Sequence, residues 1–261
     1  MTKINSVLGP VDIRDLGYTL MHEHVLCANW TARMAYPDWI NREELLDLAL
    51  QMVRRAQKYG IKTIVDATPP ALGRDINILR ELSERAEIHI IAATGFYWYE
   101  ETWLVGKDVG RMTERLVNEV EKGIQGTDSK AGFIKCATDL LGITENNRKL
   151  LQIAANTQKA TGLPIYIHAT VKNKIGLDQQ RFFIEEGIAP GKLAIGHCGD
   201  TDDVGFIEEI IEKGSYVGLD RFGLDWIFPD EKRIETLLAL VARGHADKLF
   251  LSHDFSVFID E

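Results

Sequence analysis

Residues Glu43–Thr68 read EELLDLALQMVRRAQKYGIKTIVDAT, and this segment sets the architecture of the chain. Its first part repeats apolar residues with helical spacing, which predicts an amphipathic helix over Glu43–Lys58. Gly60 then serves as a C-cap. The run Ile61–Val65 that follows is almost continuously apolar, which is typical of a parallel strand covered on both faces. A helix joined to a buried strand is the repeating unit of an α/β protein.

The same alternation of strand and helix extends over the whole sequence. Eight apolar runs predict strands, at Thr19–Val25, Lys62–Thr68, His89–Phe96, Gly132–Thr138, Pro164–Thr170, Leu193–Cys198, Tyr216–Asp220 and Lys248–Asp254. Six further amphipathic segments predict helices, at Arg74–Arg85, Arg111–Gln125, Thr144–Thr161, Gly176–Glu186, Asp202–Lys213 and Asp230–Arg243. Such units form a parallel sheet through right-handed crossovers, and eight of them favour a closed (β/α)8 TIM barrel. We expect a single domain over residues 1–261.

The C-terminal end departs from a complete barrel. The eighth predicted strand ends near Asp254 and the sequence stops at Glu261, so the final helix is expected to be missing. Its absence would expose apolar surface between the eighth and first strands. We expect either a truncated sequence or a partner that covers this seam, and we favour truncation. Because two-fold assemblies are the commonest, the expected partner is a second copy in a homodimer.

Composition excludes several functional classes. A net charge of −9 argues against a nucleic-acid partner, and 45% hydrophobic residues is ordinary for a globular protein. No apolar run approaches the ~20 residues that span a bilayer, and no signal peptide is evident. The three cysteines, Cys27, Cys136 and Cys198, are scattered, which fits a reducing cytoplasm.

Because no GxGxxG follows a strand, a dinucleotide-binding function loses its main support. We expect a cytoplasmic protein without nucleic-acid or membrane partners.

Six polar residues on the predicted strands indicate a metal site. His22 and His24 are two apart on one strand, so their side chains share a face and Glu23 points the other way. Four more lie in or near the end of later strands: Lys135, His168, His197 and Asp254. Because working residues of barrels collect at the carboxyl ends of the strands, this set predicts a two-metal hydrolase site.

Plainer interpretations of these residues stay open. Any single histidine can be a hydrogen-bonded polar residue of a core or loop, and we adopt that interpretation for His89, His245 and His253. Lys135 stands in an apolar strand, where burial lowers the pKa of an amine. A neutral amine can take up carbon dioxide and become a carbamate, an anion able to bridge two metal ions. The alternative is a lysine that reaches solvent or pairs with an acid.

The expected chemistry is metal-assisted hydrolysis. Two divalent ions polarise a water molecule to hydroxide near neutral pH and also polarise the substrate's carbonyl or phosphoryl oxygen. Asp254 can ligate one ion and move a proton to the leaving group. Imidazole and carboxylate ligands suit zinc, cobalt, iron or manganese, and the sequence does not choose among them.

Five motifs resemble those of the phosphotriesterase family of the amidohydrolase superfamily. They are Leu20-Met21-His22-Glu23-His24, Ile134-Lys135-Cys136-Ala137, Ile167-His168, Gly196-His197-Cys198-Gly199-Asp200 and Ser252-His253-Asp254. The resemblance implies a (β/α)8 barrel with a binuclear metal centre. It implies that His22, His24 and Asp254 hold the more buried ion, that His168 and His197 hold the other, and that carbamylated Lys135 bridges them.

Two further positions resemble the lactonase branch of this family. Tyr97 stands where a tryptophan is expected in true phosphotriesterases, and Arg221 stands where a histidine is expected. Tyr97 could orient the lactone ring, or it could simply fill the barrel mouth. Arg221 could hold a loop or bind a substrate oxygen, or it could only pair with Asp220 or Asp225. We count Tyr97, Arg221 and Asp254 as candidate catalytic residues.

Three functions remain in competition. We favour a metal-dependent lactonase, acting on substrates such as N-acyl homoserine lactones and so suited to quorum quenching, with promiscuous organophosphate triesterase activity. One alternative is an enzyme that is mainly a phosphotriesterase (aryldialkylphosphatase). The other is an inactive metal-binding barrel that serves as a subunit.

Overall fold

The computed structural model describes residues 2–99, 101 and 103–260. Its strands are β1 (Lys3–Ser6), β2 (Gly9–Asp12), β3 (Tyr18–Cys27), β4 (Ile61–Asp66), β5 (His89–Gly95), β6 (Phe133–Ala137), β7 (Ile165–His168), β8 (Leu193–Ile195), β9 (Tyr216–Leu219), β10 (Leu249–Leu251) and β11 (Phe255–Ile259). Its helices are α1 (Trp30–Ala35), α2 (Arg42–Gln57), α3 (Ile76–Ala86), α4 (Val109–Glu121), α5 (Glu145–Thr161), α6 (Ile175–Glu185), α7 (Val204–Glu212) and α8 (Asp230–Ala242).

The predicted strands and helices are all present, as β3–β10 and α2–α8. Three further elements were not predicted: the hairpin β1–β2, the helix α1 and the strand β11. They are short, and the hairpin strands KINS and GPVD lack the apolar run that marks a buried strand. Within the described residues no helix follows β10. Among the described helices, none is both long and apolar enough to cross a bilayer.

Side-chain caps explain where several helices begin. The backbone N–H of Glu44 donates to Oδ1 of Asn41, which caps α2 at a distance of 3.3 Å. Thr144 caps α5 in the same way, since its hydroxyl accepts from the N–H of Asn147 at 3.1 Å. These caps satisfy N–H groups that lack an intrahelical partner. Helix α2 ends one residue before the predicted Lys58, and Gly60 takes a left-handed conformation with φ 86° in the turn into β4.

The described chain forms two compact units. The first contains the residues up to Gly95, Arg115–Phe133 and the residues from Phe255 on. In it, β11, β3, β4 and β5 lie side by side in that order, all parallel. Buried leucines and isoleucines of α2, α3 and the strands form its core, and the N–H of Val7 donates to the carbonyl of Ile90 at 2.9 Å, which ties the hairpin to β5.

The second unit contains Phe96–Glu114 and Ile134–Asp254. Its strands β6, β7, β8, β9 and β10 are parallel neighbours in chain order. The core is built from these strands and from α5, α6 and α7, with Phe183, Ile195 and Ile207 fully buried. Because the strands are parallel, their carboxyl ends form one edge, and polar residues predicted for the site follow there.

Candidate active site

His22 and His24 lie together on β3 of the first unit. They are 1% and 7% exposed, and their ring centroids are 5.1 Å apart in an edge-to-face arrangement. The strand alternation therefore places both rings on one face, as the sequence predicted. Glu23 between them has another contact, since its Oε2 accepts from the N–H of Phe255 at 3.1 Å.

Buried polar groups at and just after the end of β4 hold His24. Nδ1 of His24 lies 2.8 Å from the hydroxyl of Thr68. Asp66 is 1% exposed and accepts from the N–H of Val25 at 2.8 Å. Burial raises the pKa of Asp66, and His24 opposes that rise. The orientation of His24 is thus fixed by groups outside the predicted ligand set.

The second unit presents its candidate residues along the carboxyl edge of its strands. Lys135 lies inside β6, His168 ends β7, His197 follows β8 by two residues, and Asp254 follows β10 by three. His197 and Asp254 have positive φ angles of 61° and 50°. Non-glycine residues rarely adopt this left-handed region, and such strain collects at functional sites.

The imidazoles of His168 and His197 face each other. Nδ1 of His168 lies 2.9 Å from Nε2 of His197. The opposite nitrogen of each ring is directed at a carboxylate: Nδ1 of His197 at Oδ1 of Asp220, 3.1 Å away, and Nε2 of His168 at Oδ2 of Asp139, 3.6 Å away. When each ring directs its N–H at its carboxylate, Nδ1 of His168 and Nε2 of His197 carry no proton. Their lone pairs then point into the same space.

That pairing is the one expected of metal-binding histidines. Ligating imidazoles are neutral, and they donate their second N–H to a carboxylate or carbonyl. Burial lowers the pKa of both His168 and His197 to about 4, so both rings are neutral at pH 7. Arg221 lowers the pKa of His197 further, whereas Asp220 raises it. Two neutral, oriented imidazoles, supported by the buried carboxylate of Asp220 and the half-buried carboxylate of Asp139, fit a divalent ion.

Lys135 is a buried amine, 1% exposed. Burial lowers its pKa to about 8, although the negative charges of Asp254 and Asp220 favour the ammonium. Its Nζ lies 4.6 Å from the centre of the Tyr166 ring. An amine with this pKa is partly neutral near pH 8, which is the form that can react with carbon dioxide.

Asp254 is held by a chain of alternating charges. Nε of Arg221 donates to Oδ2 of Asp254 at 2.8 Å, and Nη1 of Arg221 donates to Oδ2 of Asp200 at 2.9 Å. Nη2 of Arg233, which is fully buried on α8, donates to Oδ1 of Asp200 at 2.8 Å. Burial disfavours the charge of Arg221, but Asp254 and Asp200 outweigh it and raise its pKa. The acidic partners of Arg221 here are Asp254 and Asp200, whereas the sequence suggested Asp220 or Asp225.

Tyr97 follows β5 and contacts His168. Its hydroxyl lies 3.4 Å from Nδ1 of His168, and the two ring centroids are 5.2 Å apart. It also packs edge-to-face on Tyr99, with ring centroids 4.9 Å apart. Burial, then the charge of Asp254, raises the pKa of Tyr97, so the hydroxyl keeps its proton. It can therefore donate a hydrogen bond at this site.

The structure thus brings the predicted residues together in two groups. One is His22 with His24 in the first unit, and the other, in the second, is Lys135, His168, His197, Asp254, Tyr97 and Arg221. Sequence reasoning missed the supporting residues Asp66, Asp139, Tyr166 and Arg233. It placed Asp200 only in a motif and suggested Asp220 only as a partner of Arg221. A supporting role for Asp220 could have been predicted, because it directly follows β9 at the edge where His168 and His197 lie.

Comparisons with known proteins identify a family that the chain matches. A model of the phosphotriesterase family matches residues 2–260. The aryldialkylphosphatase of Saccharolobus solfataricus is 40% identical over 252 residues, which are 96% of this chain and 80% of that protein. The phosphotriesterase homology protein of Mycobacterium tuberculosis is 40% identical over 272 residues, covering 100% of this chain and 83% of that protein.

One solved structure is similar to this chain over nearly its whole length. The phosphotriesterase from Mycobacterium tuberculosis superposes with a TM-score of 0.94 at 39% identity, covering 99% of this chain and 83% of that one. This likeness confirms the α/β barrel class that the alternation of strands and helices predicted.

Proposed function

Because this chain belongs to the phosphotriesterase family, we propose that it is a metal-dependent hydrolase whose main substrates are lactones such as N-acyl homoserine lactones. Organophosphate triesters are the proposed secondary substrates. The observation that carries the proposal is the 2.9 Å approach of Nδ1 of His168 to Nε2 of His197, each ring backed by a carboxylate.

In this proposal two divalent ions (zinc, cobalt, iron or manganese) are held by six residues. They are His22, His24, Lys135, His168, His197 and Asp254, with Lys135 carbamylated by carbon dioxide. Buried, neutral imidazoles support this role for His168 and His197, and the lowered pKa of Lys135 supports its carbamylation. When bound, such ions supply a hydroxide near neutral pH and a positive charge at the substrate's oxygen.

The residues of the chain have separate tasks in the reaction. Asp254 accepts the proton of the attacking water and delivers it to the oxygen that leaves the opened ring. Arg221 holds Asp254 in place through the 2.8 Å hydrogen bond from its Nε. Tyr97 donates a hydrogen bond that orients the lactone, which is supported by its protonated hydroxyl beside His168. Orientation of this kind lowers the entropic part of the barrier.

A second candidate is an enzyme that is mainly a phosphotriesterase. The relative from Saccharolobus solfataricus, 40% identical, carries the name aryldialkylphosphatase, which favours triester hydrolysis. Both substrate classes build charge on an oxygen at a crowded centre, so one site can serve both. A third candidate is an inactive metal-binding subunit.

Parallel measurements on the purified protein distinguish the three. Elemental analysis gives the metals per chain, and steady-state kinetics give kcat/KM for an acyl homoserine lactone and for paraoxon. Two metals with a higher kcat/KM for the lactone support the proposal. A higher value for paraoxon selects the phosphotriesterase, and two metals without hydrolysis of either compound select the inactive subunit. A protein that binds no metal overturns all three.

The setting we propose is a homodimer in a reducing cytoplasm. The described cysteines, Cys27, Cys136 and Cys198, are free, which fits that compartment. One domain over the whole chain stays a prediction. Sedimentation of the purified protein tests the dimer.

A further inference from the structure

We propose that Tyr166 is a positioning residue that fixes the metal-binding nitrogen of His197 by holding Asp220. The inference extends the proposed function, because it presupposes that His197 binds one of the two ions. Tyr166 has no part in the proposed reaction itself, and none of the sequence motifs points to it.

Tyr166 and Asp220 form a buried pair. Tyr166 lies in β7, two residues before His168, and is 5% exposed, while Asp220 follows β9 and is fully buried. The hydroxyl of Tyr166 donates a hydrogen bond to Oδ2 of Asp220.

The other oxygen of Asp220 contacts His197. Oδ1 accepts from the backbone N–H of His197 at 2.8 Å and lies 3.1 Å from its Nδ1. A carboxylate at Nδ1 keeps the proton there and leaves Nε2 as the nitrogen that binds metal. Since Tyr166 holds Oδ2, the carboxylate cannot rotate without losing one of these bonds. Tyr166 therefore fixes the tautomer of His197 indirectly, because it holds the carboxylate of Asp220 in place.

Two glycines leave room for this contact. A Cβ built at Gly218 would lie 2.7 Å from Oδ2 of Asp220, and one built at Gly196 would lie 3.1 Å from that oxygen and 3.3 Å from the Tyr166 ring. A side chain at either position would push against the pair. Glycine at these two positions thus leaves room for Asp220, and also for the Phe250 ring at Gly218 and the carbonyl of Ile167 at Gly196.

The ring of Tyr166 makes a second, separable contact. Its face lies 4.6 Å from Nζ of Lys135. Tyr166→Phe keeps this ring and removes only the hydroxyl, so it isolates the path through Asp220. Tyr216 offers a matched control, because Nζ of Lys248 lies 4.6 Å from its ring but Tyr216 lies at the start of β9, at 39% exposure.

The test measures metal binding, not turnover. Wild type, Tyr166→Phe and Tyr216→Phe are loaded with cobalt, and each ion is titrated out with a chelator while the visible absorption of the bound cobalt is followed. We expect Tyr166→Phe to lose about 10- to 100-fold in affinity for one of the two ions and to change its absorption band. A loss of this size is typical when a metal-ligating histidine loses the partner that orients it. The control Tyr216→Phe should match the wild type.

Several outcomes overturn the inference. It is wrong if folded Tyr166→Phe binds both ions with wild-type affinity, or if it weakens both equally. Should Tyr166→Phe not fold, Gly218→Ala provides the measurement, because its Cβ would lie 2.7 Å from Oδ2 of Asp220 and from the Phe250 ring, which packs on Tyr166, so it disturbs the Tyr166–Asp220 pair. Unchanged affinity there also refutes the inference. A wild-type protein that binds no cobalt instead refutes the proposed function. The two failures are therefore distinguishable.

Discussion

Nε of Arg221 lies 2.8 Å from Oδ2 of Asp254, and Arg221 is the only arginine among the described contacts of that carboxylate. The guanidinium is a permanent cation, so it orients Asp254 without exchanging protons with it. Its other branch binds Asp200, which Arg233 holds in turn. The ion pair thus gives Asp254 a fixed direction.

Replacing Asp254 with asparagine should lower kcat by about 10²- to 10⁴-fold, because the amide cannot accept the proton of the attacking water. Metal content should stay mostly intact, since an amide oxygen can still ligate. Steady-state kinetics and elemental analysis measure the two quantities. His253→Gln, a change at the exposed neighbour, is the control. Wild-type turnover in the Asp254→Asn variant would remove Asp254 from the mechanism.

Tyr97→Trp should shift the ratio of lactone to triester hydrolysis towards the triester. The substitution removes the hydroxyl near His168 and enlarges the aromatic surface at this position. The ratio of kcat/KM values for an acyl homoserine lactone and paraoxon measures the shift. Tyr97→Phe separates the loss of the hydroxyl from the change in shape. An unchanged ratio in both variants would leave the lactonase branch without support from Tyr97.

Removing the metals should abolish activity, and their return should restore it fully only with bicarbonate. In the proposed centre, the neutral amine of Lys135 must be carbamylated again before it can bridge the two ions. Chelated protein is reconstituted with zinc or cobalt, with and without bicarbonate, and assayed for lactone hydrolysis. Lys135→Met should not recover under either condition, whereas the exposed control Lys159→Met should. Full recovery by Lys135→Met would exclude the carbamate.

The stability of the metal-free protein should depend on pH through Lys135. Burial lowers its pKa from 10.5 to about 8. Between pH 10.5 and 8, the unfolded chain binds a proton at Lys135 that the folded chain does not. The folded state is therefore fully stable with respect to this lysine above pH 10.5, and it loses stability as the pH falls towards 8. Relative to Lys135→Met, the free energy of unfolding should fall by roughly 3 kcal/mol across this window, at about 1.4 kcal/mol per unit. Denaturant titrations at several pH values measure it, and a flat difference would contradict the shift.

Arg233→Met should lower the free energy of unfolding by about 3–5 kcal/mol, because it leaves the buried charge of Asp200 without its fully buried partner. The control is Arg243→Met, whose ion pair with Glu208 involves a side chain that is 52% exposed. Exposed pairs of that kind contribute about 0–1 kcal/mol. Urea unfolding of both variants compares them. Equal effects would mean that Arg233 is not an anchor of the Asp200–Arg221–Asp254 chain.

Much of the site was accessible from the sequence because its ligand candidates stand on regular strands. His22 and His24 share a face for the reason that any two residues of a strand at spacing two do, and the structure places their rings 5.1 Å apart. His168 and His197 could be expected at one edge because parallel strands end together. Their 2.9 Å approach could not, since it depends on where Asp139 and Asp220 hold the rings.

The sequence by itself determined the order of strands and helices and the candidate ligands, because apolar periodicity records which face of each element is buried. Only the tertiary structure decided what supports those ligands. Tyr166 and Asp220 are 54 residues apart, and Arg221 and Asp254 are 33 residues apart, so no local sequence pattern predicts either contact. Hydrogen bonds between buried polar groups are chosen by packing over the whole unit, and they acquire their strength only once the surrounding core has excluded water.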